Sequence, residues 1–216
     1  MRIIDCDQGS TEWLLARRGI ATASRANDVL ARLKPKKDEK EGAPAQARID
    51  YAIELAFERA AGIVMDRPVT AAMARGSDLE PMAREAYEIA TGAMVDRLGL
   101  VLHDELDAGA SPDGLIGDDG LIEIKCPYSM ERVARIWATN DVGEYVAQVQ
   151  WQLWILDRAW ADVVVYDPRL ADAGMDVFVR RIERDPAFIQ RLEAEVPVFL
   201  ADVAELTKTI TARRAA

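Results

Sequence analysis

The residues best suited to chemistry lie in GASPDGLIGDDGLIEIKCPYS, positions 109–129. Asp113 precedes a Gly117-Asp118-Asp119-Gly120 turn, and Glu123 and Lys125 follow, two residues apart in an otherwise apolar run. In a strand, alternate side chains share a face, so Glu123 and Lys125 point one way while Ile122 and Ile124 point into the core. The turn forms a hairpin that brings Asp113 beside Glu123. Two acids held close raise each other's pKa unless a cation neutralises them. Hard oxygen donors suit Mg²⁺, with Mn²⁺ as a substitute, which binds through one or two carboxylates and keeps waters or substrate phosphates on its other positions. One histidine and two far-separated cysteines make a poor zinc site. Beside such an ion, Lys125 could orient or help deprotonate an attacking water and stabilise charge growing on a phosphate. The pattern alone leaves open a plain salt bridge, Glu123 with Lys125, and Asp113 as an ordinary turn residue.

These side chains need a scaffold. Ser10 reads as the N-cap of a helix opened by Trp13, and a second short helix follows Thr22. Lys34 to Pro44 is charged and proline-punctuated, which reads as a mobile loop. A helix over 45–61 ends at Gly62, and another over 71–90, interrupted at Gly76 and Pro81, ends at Gly92. Strands are expected at 94–103, 108–111 and 121–125, the last two joined by the DDG turn. A helical region at 129–156 breaks near Asn140–Gly143, strands follow at 162–166 and 175–182, and a helix runs from Pro186 to about Thr209. That order fits an α+β fold, a mixed central sheet flanked by helices.

At 216 residues and half hydrophobic, the chain reads as one soluble domain, with an N-terminal helical part over 8–62 and a core over 70–209. Neither a signal peptide nor an apolar run of about 18 residues is present, so the expected compartment is cytoplasmic and no membrane partner is expected. The net charge of −10 argues against a polyanionic partner, but residues 16–40 carry eight basic residues against three acidic ones, a net +5. Such asymmetry suits a protein that meets an anion on one surface and repels it from others.

Several segments together resemble a family. SPDG, EIKCP, YVAQVQWQLWI, YDPR, IERD and VPVF occur in the order found in the lambda exonuclease family of phage recombination nucleases, built on the PD-(D/E)xK restriction-endonuclease-like core. EWLLARRGIATAS and RGSDLEPMAREAYE resemble that family's N-terminal segments, so the likeness runs from Trp13 to Phe199. The resemblance implies that Asp113, Glu123 and the Ile124 carbonyl bind metal and that Lys125 is the catalytic lysine. It makes Glu80 a helper acid at a second metal and brings Gln148 to the site from the following helix. It places Arg17, Ser24 and Ser111 around a 5′-phosphate, where arginine and hydroxyl donors suit the anion, and makes Met73 an apolar wedge between strands. The doubled Arg17-Arg18 leaves the choice of guanidinium open.

The function that the resemblance implies is that of a Mg²⁺-dependent 5′→3′ exonuclease acting on double-stranded DNA ends, releasing 5′-mononucleotides and leaving 3′ tails for recombination. A homotrimeric ring, a single-strand annealing partner and a phage or prophage setting in a bacterial cell are implied with it. An endonuclease or nickase on the same core, a non-catalytic DNA-end-binding module and a small-substrate metal phosphoesterase are the alternatives. His103 is expected at a surface or strand edge, Cys126 in packing, and Trp151, Trp154 and Trp160 in the core or a subunit interface.

Overall fold

The computed structural model describes residues 1–37, 42–65 and 68–214. Residues 38–41 of the expected Lys34–Pro44 loop, with the charges of Asp38, Glu39 and Lys40, lie outside the described residues. In chain order the elements are β1 (Arg2–Ile4), α1 (Thr11–Ala16), β2 (Ala21–Thr22), α2 (Ala26–Val29), α3 (Gln46–Ala61), α4 (Ala71–Thr91), β3 (Leu100–Leu102), β4 (Ala108–Ala110), β5 (Gly114–Ile116), β6 (Gly120–Lys125), α5 (Met130–Thr139), α6 (Gly143–Leu156), β7 (Trp160–Tyr166), β8 (Val177–Glu183) and α7 (Pro186–Arg214).

Local chemistry sets the helix ends. Ser10, Thr70 and Ser129 each accept the backbone N–H three residues on, at 3.2 Å, and so begin α1, α4 and α5. Gly62 and Gly92 take φ of 70° and 72° at the ends of α3 and α4, a conformation that costs glycine little. The expected interruption of α4 does not occur. Pro81 sits inside one continuous helix, where it forgoes a single rung to the carbonyl of Ser77, while Ala83 and Tyr87 pack on the sheet and carry the helix through.

The chain divides into two compact units, each assembled from separate segments: Met1–Asp66, Gly99–Ser111 and Asp185–Ala216 in one, Arg67–Leu98 and Pro112–Arg184 in the other. The strands therefore form two mixed four-stranded sheets instead of one central sheet. In the first unit the order is β1-β3-β4-β2, with β2 parallel to β4 through Ala21↔Ala108 and Thr22↔Gly109. The expected strand over 94–103 is ordered as a strand only at Leu100–Leu102. Helices α3 and α7 pack together there, with Tyr51 stacked on Phe199 at 5.4 Å. Helix α7 extends to Arg214, beyond the expected Thr209.

In the second unit the order is β5-β6-β7-β8, with the central pair β6 and β7 parallel and both outer pairs antiparallel. Here the expected hairpin is redrawn. Strand β5, which pairs with β6 across the DDG turn, is a separate short strand, and Ala108–Ala110 belongs to the other sheet. Both faces of the second sheet are covered. Ile122, Ile124, Val164 and Tyr166 meet Ala83 and Tyr87 of α4. On the opposite face Leu121, Val163 and Val165 meet Ile136 of α5 and Tyr145, Val149 and Leu153 of α6. The face bearing Glu123 is thus also a core face, as expected where helices cover both sides of a sheet.

Candidate active site

The second unit gathers its acids at the C-terminal end of β6. Pairing with β5 stops at Gly114↔Ile122, and the Asp113 side chain takes the next rung: Ile124 N–H donates to its Oδ2 at 2.6 Å. In a strand the N–H and C=O of one residue face the same edge, so the Ile124 carbonyl faces Asp113 as well. Glu123 is only 3% exposed. Its Oε1 accepts Lys125 Nζ at 2.7 Å and Gln148 Nε2 at 2.5 Å, and Lys125 also donates to Gln148 Oε1 at 3.0 Å. Helix α6 brings Gln148 there, together with Gln152, whose Nε2 donates to Glu123 Oε2. Lys125 lies 5.3 Å from the centre of the Tyr145 ring.

The electrostatics follow from this crowding. Burial, then the charges of Glu123 and Glu80, push the Asp113 carboxyl well above the ordinary aspartate range, against Lys125 and the Ile124 N–H. Burial would lower Lys125, but Glu123 and Asp113 outweigh it and hold the amine above its usual value, as an ammonium. Glu80, on α4, accepts from Arg84 Nη2 at 2.5 Å, and the same nitrogen donates to the Asp113 carbonyl at 3.1 Å. Among the described residues no three Asp, Glu, His or Cys side chains form a metal cage. Magnesium needs fewer, since one or two carboxylates and waters hold it. Asp113, Glu123 and the Ile124 carbonyl are a hard-oxygen set of that kind, with Asp113 on the Ile124 N–H and Glu123 on Lys125 at the same strand end, so the residues fit such an ion.

In the first unit the expected phosphate-binding residues also meet. Arg17 Nη2 donates to Thr22 Oγ1 at 3.3 Å, and Thr22 Oγ1 lies 3.4 Å from Ser24 Oγ. The guanidinium stacks on Trp13, 3.8 Å from the ring centre, and Trp13 Nε1 donates to Ser111 Oγ at 2.9 Å. One cation and three hydroxyls thus share a neighbourhood. Arg18 instead donates to the Gly62 carbonyl at 2.8 Å, which separates the two arginines. Met73, in the first turn of α4, is 54% exposed.

Sequence reasoning missed Gln152, Arg84 and Trp13 as members of these clusters. Gln152 shares a helical stripe with Tyr145 and Gln148, and Arg84 stands one turn beyond Glu80, so spacing carried a signal for both. Other expectations resolve simply. His103 Nδ1 accepts the N–H groups of Glu105 and Leu106, capping the β3–β4 turn. Cys126 packs against the apolar cluster under α4, where burial pushes its thiol to about 11. Trp151 and Trp154 are buried edge to face at 5.5 Å, and Arg181 covers Trp160 at 3.5 Å. Among the described residues no helix is long and apolar enough to cross a membrane.

Comparison with known proteins places the fold. The alkaline exonuclease LHK-Exo of Laribacter hongkongensis, known from two crystal structures, one of them in complex with dAMP, is 41% identical, with TM-scores of 0.82 and, for the dAMP complex, 0.83. The match covers 95% of this chain and 98% of that one. A phage-related exonuclease from Haemophilus somnus 129PT shares the fold at 16% identity, a TM-score of 0.69, and coverage of 88% and 96%. No curated protein matches the chain. Residues 12–159, which include the acids, the lysine and the arginine–hydroxyl cluster, match the YqaJ-like viral recombinase domain. The chain belongs to the YqaJ-like viral recombinase family.

Proposed function

We propose that this protein is a metal-dependent exonuclease that digests double-stranded DNA 5′→3′ from phosphorylated ends, both units acting as one exonuclease domain. The observation that carries the reading is the joining of Glu123, Lys125 and Gln148 by hydrogen bonds beside Asp113 at the end of β6. When bound at Asp113, Glu123 and the Ile124 carbonyl, Mg²⁺ or Mn²⁺ would activate water and offset charge on the phosphate. Lys125, kept as an ammonium, donates to the attacking water or to a non-bridging phosphate oxygen. Gln148 holds both Lys125 and Glu123 in place. Attack of water on phosphorus forms the new P–O bond and breaks the P–O3′ bond; the O3′ takes up a proton from solvent and leaves as the 3′-hydroxyl of a freed mononucleotide, with a new 5′-phosphate on the shortened strand.

Direction rests on the other cluster. Arg17 with Thr22, Ser24 and Ser111 offers a charged donor and neutral hydroxyls, the chemistry a terminal phosphate needs. Exposed Met73 is free to act as the wedge. The dAMP complex of LHK-Exo supports a mononucleotide product. We further propose a homotrimeric ring with the basic segment toward DNA, a single-strand annealing partner for the 3′ tail, and a phage or prophage role in the bacterial cytoplasm.

The test compares linear duplex with and without 5′-phosphate, in Mg²⁺ or EDTA, while native mass counts subunits. Mononucleotide release that needs Mg²⁺ and favours phosphorylated ends is expected. A charged hydrogen bond contributes ~1.5–3 kcal/mol, so Arg17→Ala should reduce that preference about 10–100-fold. An Arg17→Ala protein that keeps the full preference removes the support for a 5′ start.

A further inference from the structure

Gln152 is wholly buried, at 0% exposure, in a stretch of α6 that is otherwise Trp151, Leu153, Trp154, Ile155 and Leu156. Its Nε2 donates to Glu123 Oε2, whereas its own Oε1 is buried without a hydrogen-bond partner. An orphaned acceptor is unfavourable in an interior, so packing alone would favour an apolar residue at this position. The compensation lies in what the amide N–H does to Glu123. A carboxylate offers about four lone-pair positions. Lys125 and Gln148 occupy both on Oε1, and Gln152 occupies one on Oε2.

We propose that Gln152 is a positioning residue, locking Glu123 so that the remaining lone pair on Oε2 is the one presented to a divalent cation. The inference rests on the proposed metal dependence and adds a residue to it. Glu123 then binds through a single oxygen in a fixed orientation, with no rotation of its carboxylate left to be lost when the ion arrives. Lys125 and Gln148 both act on Oε1, so Gln152 is the residue that holds Oε2 directly.

The experiment measures Mn²⁺ binding to the full chain by calorimetry, alongside cleavage of linear duplex as a function of Mg²⁺. Loss of an outer partner of a metal ligand typically costs about 10–100-fold in affinity, which is the drop expected for Gln152→Met. Cleavage should fall at low Mg²⁺ and recover as Mg²⁺ is raised, with KM for DNA unchanged. A role in folding alone gives no such recovery. If Met does not fold at this buried position, Gln152→Asn, whose amide is a methylene too short to reach Glu123, carries the same expectation. Parent-like Mn²⁺ affinity and Mg²⁺ dependence in a folded variant overturn the assignment while leaving the nuclease reading intact. A parent that binds Mn²⁺ but cuts no DNA overturns the nuclease reading, and Gln152 is then judged on the calorimetry. A parent that binds no Mn²⁺ overturns both.

Discussion

Glu195 of α7 lies beneath two guanidiniums. Arg32 grips it from Nη2 and Nε, at 2.8 Å and 3.1 Å, and Arg48 reaches it at 2.9 Å. Burial alone would raise this carboxyl, but the hydrogen bonds and charges of Arg32 and Arg48 outweigh it and hold it below the ordinary glutamate range. At the end of β6 the balance is reversed: Asp113 and Glu123 face the ammonium of Lys125, and burial, then the charges of Glu123 and Glu80, push Asp113 up. Both clusters are acids with basic partners inside a folded unit. One has two guanidiniums on a single carboxylate and serves the fold. The other sets two buried acids beside one ammonium, a balance that the proposed cation would complete, so charge balance separates a structural ion cluster from a candidate catalytic one.

Three substitutions test that contrast. Lys125→Met should slow DNA cleavage by about 10²–10³-fold, the range for loss of one positioned donor to developing charge, with the fold retained by circular dichroism. Cleavage at the parent's rate would place Lys125 with the structural ion pairs. Glu195→Gln should destabilise by about 3–5 kcal/mol in urea titration, because two guanidiniums lose their partner. Since the folded-state pKa of Glu195 is lowered, its stabilisation is present above the unfolded glutamate pKa and is lost as pH falls through the folded value. The deficit of Glu195→Gln should therefore narrow in acid.

Asp113→Asn should act in the opposite direction and more gently. The raised pKa of Asp113 favours its protonated form in the folded state, so its charge destabilises the metal-free protein at neutral pH. If relief is worth ~1 kcal/mol, the Tm without metal should rise about 2–4 °C while cleavage is lost. A fall in Tm would show that the acid pair at β6 is already balanced, as Glu195 is.

Much of the scaffold was readable from local chemistry. Ser10, Gly62, Gly92 and the Asn140–Gly143 break are where the helices begin or end, because caps and left-handed residues act over a few positions. The short strands β1, β2 and β5 were not. Ala21–Thr22 has no alternation to read, and its partner Ala108–Gly109 lies far along the chain. Strand β5 was hidden because three residues beside a turn look like part of the turn. The same reason led to a single sheet where there are two.

At the site, Glu123 and Lys125 were fixed by strand alternation, and Asp113 by the turn that comes after it, so their convergence was written in spacing. Helical spacing put Gln152 on the stripe of Tyr145 and Gln148, but it did not tell that the Gln152 amide meets Glu123 from above β6. Tertiary structure decided that meeting, as it decided that Arg17 and not Arg18 shares the hydroxyls of Thr22 and Ser24. The physical reason is common to both cases. Backbone periodicity sets which way a side chain points, but which partner it meets depends on the packing of segments distant in the chain, here α6 on β6 and α1 beside β2 and the end of β4.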